Sequence, residues 1–472
     1  MDPPPLKFLN SNLLQNNALT NLCFYEELRK EKIMTAALAS EGESWFHPSK
    51  PVYRFTILFF VSLLTFGSYF AYDSVGAIAP QLIEALKIDR SVIGGMYTVY
   101  SIAAIISVLL GGFLIDKIGT RRSSMIFAGL VAIGAAIVAI APNIVILYLG
   151  RFIFGAGSEA LVVAQSAILA RWFKGKELAL SFGIALTISR LGTLFSFNTE
   201  ALISKYFGSY QAALWAAVVF CLVSFGAVLV YVIMDKRGEK VLHLKDEEAE
   251  EKIVFSDIKK FSPAFWYVAL LCVTFYSAIF PFTALSTDFF HDKWNIPLTV
   301  GNAGGFFSQV FYNITHMFST AGGTTTIIIA ASMFLAPFAG TLVDKIGKRA
   351  SLMILGSLLL IPSYLLMGFT MIPPRYPMLL LGAAFVLVPA AMWPSVPLIV
   401  EEKYTGTAFG VITFIQNIGL ALFPFLNGKL RDLTHNYTAS MVMFASLGLF
   451  GLVFAFLLKR ADRKLNGVLE KP

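Results

Sequence analysis

Gly112-Phe113-Leu114-Ile115-Asp116-Lys117-Ile118-Gly119-Thr120-Arg121-Arg122 returns far downstream as Gly340-Thr341-Leu342-Val343-Asp344-Lys345-Ile346-Gly347-Lys348-Arg349. Each copy ends an apolar run on a carboxylate, permits a tight turn at glycine and follows with cations. That pattern suits a short loop that latches neighbouring helices by charge. One copy alone reads equally well as an ordinary basic loop. Two copies at matching places, each between an even and an odd apolar span, favour the specific reading. A second match keeps nearly the same offset: Phe182-Gly183 and Arg190-Leu191-Gly192 align with Phe409-Gly410 and Asn417-Ile418-Gly419. Long-period self-similarity in so apolar a chain signals two six-helix halves of a membrane transporter.

Working outward, the 472 residues are 57% hydrophobic and 14% charged, with mean hydropathy +0.71. Soluble domains run nearer a quarter charged, so the fold class is an all-α polytopic membrane protein. Twelve apolar spans are predicted, at 54–79, 92–115, 124–141, 144–170, 177–203, 211–234, 263–287, 323–343, 350–370, 376–400, 406–427 and 438–458. The links after even-numbered spans, with the C-terminal tail, hold 22 Lys and Arg, against 7 in the links after odd-numbered spans. The positive-inside rule then puts both termini in the cytosol. The formal charge of +8 is topological and implies no nucleic-acid partner.

The expected domain plan is a disordered cytosolic tail (1–52), a first bundle (53–234), a charged cytosolic linker (235–262), a second bundle (263–458) and a cytosolic tail (459–472). Residues 1–50 hold no basic start, apolar run or cleavage site, so no signal peptide is read there. Leu13-Leu14 is half of a dileucine sorting signal, with Leu9 where an acid belongs. Cys23 lies on the cytosolic side and Cys221 and Cys272 fall inside spans, so no disulfide framework is implied.

Two opposite charges sit deep in apolar spans. Glu159 and Arg190 each lie about 12 to 14 residues from the basic cluster Arg171, Lys174 and Lys176, roughly 18–21 Å along a helix. That is close to mid-bilayer, where an ionised side chain costs roughly 2.5–3.5 kcal/mol on insertion scales and normally faces a partner, a cavity or a ligand. A dipeptide is a zwitterion with its ammonium and carboxylate a few ångströms apart. Glu159 offers acceptors to the ammonium, and Arg190 a planar fork that matches a carboxylate. The two can pair when empty and part around cargo, or they form a permanent salt bridge between helices.

Other candidates for substrate contact are Tyr72 and Asp73 in the outer half of the first span, Gln165, Trp393, Gln416 and Asn417. Asp73 reads equally as a helix-end carboxylate, and Gln165 as a bond between helices. Trp393 reads either as a stacking surface or as packing. Asn417 holds the repeat position of Arg190, which leaves the charge grip on the first half alone. Gly155, Gly157, Gly183, Gly192, Gly410 and Gly419 are expected to permit close helix approach. No carboxylate other than Glu159 is placed near mid-membrane, and the five histidines fall in tails or links. A proton relay therefore lacks evident members, which favours facilitated diffusion.

The duplicated loop resembles the signature loop of the major facilitator superfamily, and the resemblance runs over about residues 52–460. Within that family the chain is similar to the branch of the lysosomal dipeptide transporter. The match is carried by Gly67-Ser68-Tyr69-Phe70, Tyr72-Asp73, Gly150-Arg151-Phe152 through Glu159 to Ala164-Gln165, and Trp172-Phe173-Lys174-Gly175-Lys176-Glu177-Leu178. In the second half it is carried by Phe280-Pro281-Phe282, Trp393-Pro394, Gly406-Thr407-Ala408-Phe409-Gly410 and Gln416-Asn417-Ile418-Gly419. The resemblance implies passive movement of dipeptides, with a glutamate and an arginine holding the charged ends. Arg151 matches the superfamily's fourth-helix arginine, as anchor or gate. Gly112, Asp116, Gly119, Arg121 and Arg122, with Gly340, Asp344, Gly347 and Arg349, are the implied gating and structural motif.

The resemblance also implies a lysosomal membrane and a glycosylated single-pass accessory subunit in a eukaryote, or the cytoplasmic membrane and no such partner in a bacterium, otherwise a monomer. Residues 295–325 depart from the pattern as an insertion on the non-cytosolic side, either a cap over the outer mouth or a lineage-specific loop. Asn313-Ile314-Thr315 and Asn436-Tyr437-Thr438 are glycosylation acceptors on that side. No nucleotide loop, metal cluster or catalytic triad order is seen, so neither an enzyme nor a cofactor nor a metal is expected. The competing readings are a proton-coupled or exchange carrier for another amino-acid-like or organic anion, and a peptide receptor or scaffold that does not transport.

Overall fold

The computed structural model describes residues 45–173, 176–242, 260–301, 304–401 and 404–471. The expectations for residues 1–44 and for most of the charged linker (243–259) lie outside the described residues. No strand occurs among the described residues. Lipid offers no partner to backbone N–H and C=O groups, so each span must close its own hydrogen bonds as a helix.

In the first half these are α1 (Pro51–Ala77), short α2 (Ala79–Leu86), α3 (Arg90–Ile140), α4 (Ile144–Phe173), α5 (Leu178–Phe207) and α6 (Tyr210–Leu242). The second half holds α7 (Pro263–Trp294), α8 (Phe306–Thr315), α9 (Ala321–Ile346), α10 (Arg349–Phe369), α11 (Arg375–Met392), α12 (Val396–Ile399), α13 (Thr405–Thr434) and α14 (Thr438–Asp462). Among the described residues, eleven helices are long and apolar enough to cross a membrane. The twelfth span is α9, whose parts Ala321–Ala336 and Phe338–Ile346 are bent by 51°.

The second glycine of each duplicated loop has a conformational task. Gly119 (φ 80°, ψ 161°) breaks α3 into spans 90–118 and 120–140. Gly347 (φ 61°) turns the chain from α9 into α10. A side chain is disfavoured at such angles.

In the first half α1 packs on α5 and α6, and α3 on α4 and α6; in the second, α7 packs on α13 and α14, and α11 on α9 and α10. At the end carrying the duplicated loops, called the motif end, the expected charge latch is present but asymmetric. Arg121 reaches Asp235 (3.5 Å) and Glu239 (2.5 Å) on α6. Asp235 also takes Arg171 (3.3 Å) and the Trp172 indole N–H (2.7 Å). Asp116 and Arg122 are exposed, so the latch runs from Arg121. Around the second copy the C-terminal tail takes that part. Glu470 accepts from the Ser351 N–H (2.9 Å) and hydroxyl (2.7 Å) and pairs with Lys459 (3.6 Å). Arg349 donates to the Lys471 carbonyl (2.9 Å), and Asp344 is exposed.

The opposite, far end is where the halves are joined. Arg90 donates to Asp288 through Nε (2.6 Å) and Nη2 (3.3 Å), and the Tyr437 hydroxyl donates to the same carboxylate. Asp432 of the second half accepts the Arg90 and Ser91 N–H groups (3.0 and 2.9 Å), capping the first turn of α3 with an anion. A Cβ added at Gly94 would stand 2.1 Å from the Pro424 carbonyl oxygen, and one at Gly428 would stand 2.3 Å from that of Arg90. Here the halves touch backbone to backbone. At the motif end Gly112, Gly183 and Gly340 have nothing within 4 Å, so Gly183 is not the close-approach residue it was expected to be. Gly155, Gly157, Gly192 and Gly419 are, since a Cβ added at each would stand within 2.6 Å of a neighbouring helix.

Hydropathy ended the seventh span at 287 and the eleventh at 427, whereas α7 runs to Trp294 and α13 to Thr434. Those extra turns carry Asp288 and Asp432, the charges that meet the first half at the far end, and the Asp292–Arg431 pair (3.1 Å) that ties α7 to α13. One glycosylation acceptor is also corrected. Asn313 is buried, with Nδ2 donating to the Asn198 carbonyl and Oδ1 accepting from Val300 N–H (3.0 Å). Its amide is committed, whereas Asn436 is exposed.

Candidate functional site

Glu159 falls at the middle of α4, and Arg190 close to the middle of α5. Both line one cavity of about 240 Å³ between the halves. The first half also contributes Ser68, Tyr69, Tyr72 and Asp73 from α1, Tyr100 from α3, and Thr193 and Phe197 from α5. The second half contributes Tyr276, Phe280, Phe385, Gln416 and Asn417. Tyr69, Tyr72 and Asp73 share a face because residues three and four apart stack on a helix.

The two charges do not pair with each other. The Tyr100 hydroxyl donates to Glu159 Oε1 (2.7 Å) and touches the Ser158 hydroxyl (3.0 Å), which in turn meets Ser68 (2.6 Å). Arg190 lies over the rings of Tyr69 (5.7 Å), Phe280 (5.8 Å) and Phe385 (5.4 Å). Aromatic faces hold a guanidinium by charge–quadrupole attraction while leaving its N–H edge free for a carboxylate. The expectation of an empty-state salt bridge between them is therefore not met. Aromatic and hydroxyl groups satisfy each charge separately.

Of the other candidates for substrate contact, Tyr72, Asp73, Gln416 and Asn417 line the cavity. Gln165 and Trp393 do not line it. The Gln165 amide is spent on α1, with Nε2 donating to the Val61 carbonyl (2.9 Å) and the Thr65 hydroxyl (3.1 Å). Trp393 donates its indole N–H to the Tyr276 hydroxyl (2.9 Å), steadying a ring that stacks on Phe280. Trp393 thus supports a lining residue from behind, and Gln165 ties α4 to α1.

Arg151 is an anchor in this structure. It is 1% exposed, with its guanidinium over Tyr72, Tyr97, Tyr100 and Phe154 at 5.0–5.5 Å. Nη1 and Nη2 reach the Ala71 and Tyr72 carbonyls (3.3 and 3.4 Å). A desolvated cation–π contact is worth about 2 kcal/mol, so this cage binds α1, α3 and α4 beneath the cavity.

Sequence reasoning missed Tyr69, Tyr100, Phe280 and Phe385 as site residues. Their only linear signal was the Tyr69–Tyr72–Asp73 spacing. It named Asp73 but kept it away from mid-membrane, whereas Asp73 lines the same cavity as Glu159. It also missed one buried carboxylate outright. Glu200 of α5, 0% exposed, has both oxygens without a hydrogen-bond partner among the described residues.

Comparisons with known proteins agree with this architecture. The family model of the Major Facilitator Superfamily matches residues 61–316 and 297–471. The lysosomal dipeptide transporter MFSD1 of Homo sapiens is 33% identical over 431 residues, covering 88% of each chain. That of Mus musculus is 34% identical over 434 residues, again covering 88% of each. Among solved structures, the nucleoside transporter NupG superposes with a TM-score of 0.63 at 14% identity, covering 86% of this chain and 99% of its own. That likeness bears on the fold alone.

Proposed function

Because the chain belongs to the major facilitator superfamily and is a membrane transporter rather than an enzyme, we propose that its cargo is a dipeptide or similar zwitterion, moved down its gradient by alternating access. The observation that carries this reading is the pair Glu159 and Arg190, facing one cavity without pairing to each other. An acceptor and a planar donor fork held apart in a low-dielectric chamber match the two ends of a zwitterion. Tyr100 orients the acid and the aromatic cluster orients the base; Tyr72, Asp73, Gln416 and Asn417 supply further polar contacts. The name of the similar relatives supports both the cargo and a lysosomal membrane.

The two halves, 53–234 and 263–458, are the rocking bodies, tethered through 235–262. With the motif end cytosolic, as its basic links require, the sealed far end makes this the state closed to the non-cytosolic side. Cargo then exchanges with the cytosol while Arg90, Asp288 and Asp432 hold the other mouth shut. A second reading, proton-coupled transport, is favoured by Asp73 in the cavity and by the partnerless Glu200.

Uptake of labelled dipeptides into proteoliposomes separates the two. Uptake indifferent to an imposed pH gradient supports the uniporter, and strict dependence on the gradient replaces it with the coupled carrier. Glu159→Gln and Arg190→Ala each remove charged hydrogen bonds worth about 1.5–3 kcal/mol, so dipeptide affinity falls roughly 10–100-fold with folding intact. Parent-like transport by both variants refutes the site.

A further inference from the structure

From residue 294 to residue 343 the chain contains no Asp, Glu, Lys or Arg. Within that stretch α8 sits beside α5, and two contacts fix its direction. Phe306, its first residue, meets Tyr206 (5.1 Å between ring centroids) and Phe207 (5.8 Å) at the last turn of α5. Asn313, two turns later, donates to the carbonyl of Asn198. So α8 descends antiparallel to α5 across eight of its residues, about 12 Å. The start of α9 confirms the depth: a Cβ on Gly322 would stand 2.1 Å from the Phe197 carbonyl oxygen.

Arg190 gives the scale. Asn198 stands about 12 Å beyond it along α5 and Tyr206 about 24 Å. With Arg190 near mid-bilayer and a hydrocarbon half-thickness of about 15 Å, α8 begins among headgroups and ends inside the hydrocarbon. Its inner face, Phe306 and Asn313, is on α5. Its outer face is aromatic and uncovered: Phe307 is 85% and Phe311 71% exposed, four residues apart on one side, and Phe318 follows at 53%. His316 stacks on Tyr312 (4.1 Å), with Nδ1 3.0 Å from the Tyr312 carbonyl oxygen.

We propose that residues 306–319 form a membrane-embedded segment that leads into α9, with Phe311 and Phe318 seated in the acyl chains of the far leaflet and Phe307 at the headgroup boundary. The partner this surface fits is lipid. The absence of ionised side chains, the depth read from α5 and the ring contacts with Tyr206 and Phe207 all agree with a hydrocarbon surround. Asn313 ties this lipid-seated element of the second half to α5 of the first, so the segment closes the lateral seam between α5 and α9 while the far end is shut.

The test is spin-label accessibility on the full chain in proteoliposomes. Cys221 and Cys272 are buried, so Cys23→Ser followed by single Phe307→Cys, Phe311→Cys or Phe318→Cys gives defined label sites. Asn436→Cys on the exposed α13–α14 turn serves as the water control. The expected result is an oxygen-to-nickel-chelate collision ratio at 311 and 318 several times that of the control, with 307 intermediate. Water-like ratios at 311 and 318 overturn the proposal, and so does shielding from both reagents, which would mean a protein partner. Phe311→Trp, quenched by brominated lipid, gives the same answer without a bulky label; absence of added quenching counts against lipid.

Discussion

Asp288→Asn tests the far-end seal. In the described state this carboxylate is buried, accepts from Arg90 Nε (2.6 Å) and Nη2 (3.3 Å), and takes the Tyr437 hydroxyl. Arg90 belongs to the first half, Asp288 and Tyr437 to the second. Opening this end breaks the Arg90 contacts and keeps the Tyr437 contact, so of the bonds Asp288 makes only the ion pair differs between the two states. A hydrogen-bonded charge contact is worth about 1.5–3 kcal/mol. Arg90 is about a quarter exposed (side chain 23%), which places the pair at the lower end because water screens it. The amide can still accept one bond from Arg90, so about 1.5 kcal/mol is lost, roughly a tenfold rise in the population open at the far end.

The assay uses a thiol within the cavity. Leu420 lines it, and Leu420→Cys should react slowly with an impermeant reagent added from the far side. In the Asp288→Asn background that rate should rise about tenfold. An unchanged rate, in protein that remains monodisperse, would refute the assignment of Asp288 as a gate between the halves. It would leave the seal to backbone contacts such as Gly94 against Pro424.

Two further outcomes follow from the same structure. Tyr100→Phe removes the donor that orients Glu159, and dipeptide affinity should fall by about 1 kcal/mol, roughly fivefold, in a thermal-shift titration; unchanged affinity would show that Glu159 needs no such support. Gly428→Val places a branched side chain where a Cβ would already be 2.3 Å from the Arg90 carbonyl oxygen, so the far end should fail to close and cavity labelling from that side should become fast. Slow labelling in that variant would mean that α3 and α13 can separate without opening a path.

The repeated loops were legible because duplication leaves identical spacing and because a positive-φ turn favours glycine. Glu159 and Arg190 were legible because charge in hydrocarbon is costly enough to need a reason. The rest depended on relations that linear order hides. Arg90 and Asp288 look like ordinary link charges until folding brings them together. The cage around Arg151 draws Tyr72, Tyr97, Tyr100 and Phe154 from three helices, so no local pattern announces it. Gln165 and Trp393 were credited with facing the cargo, but the face a span presents is set by its neighbours: Gln165 is turned to α1 and Trp393 to Tyr276. The insertion's direction came only from Phe306 and Asn313 meeting opposite ends of one stretch of α5.

Glu159 and Arg190 belong to the same bundle, and the wall opposite them offers amides and rings. When the bundles tilt, both ionic grips travel in one rigid frame and keep their separation, while only weaker neutral contacts are exchanged. Cargo therefore meets nearly the same electrostatic embrace at either mouth. On the proposed uniport reading, dissociation constants measured from the two sides of the membrane should agree closely.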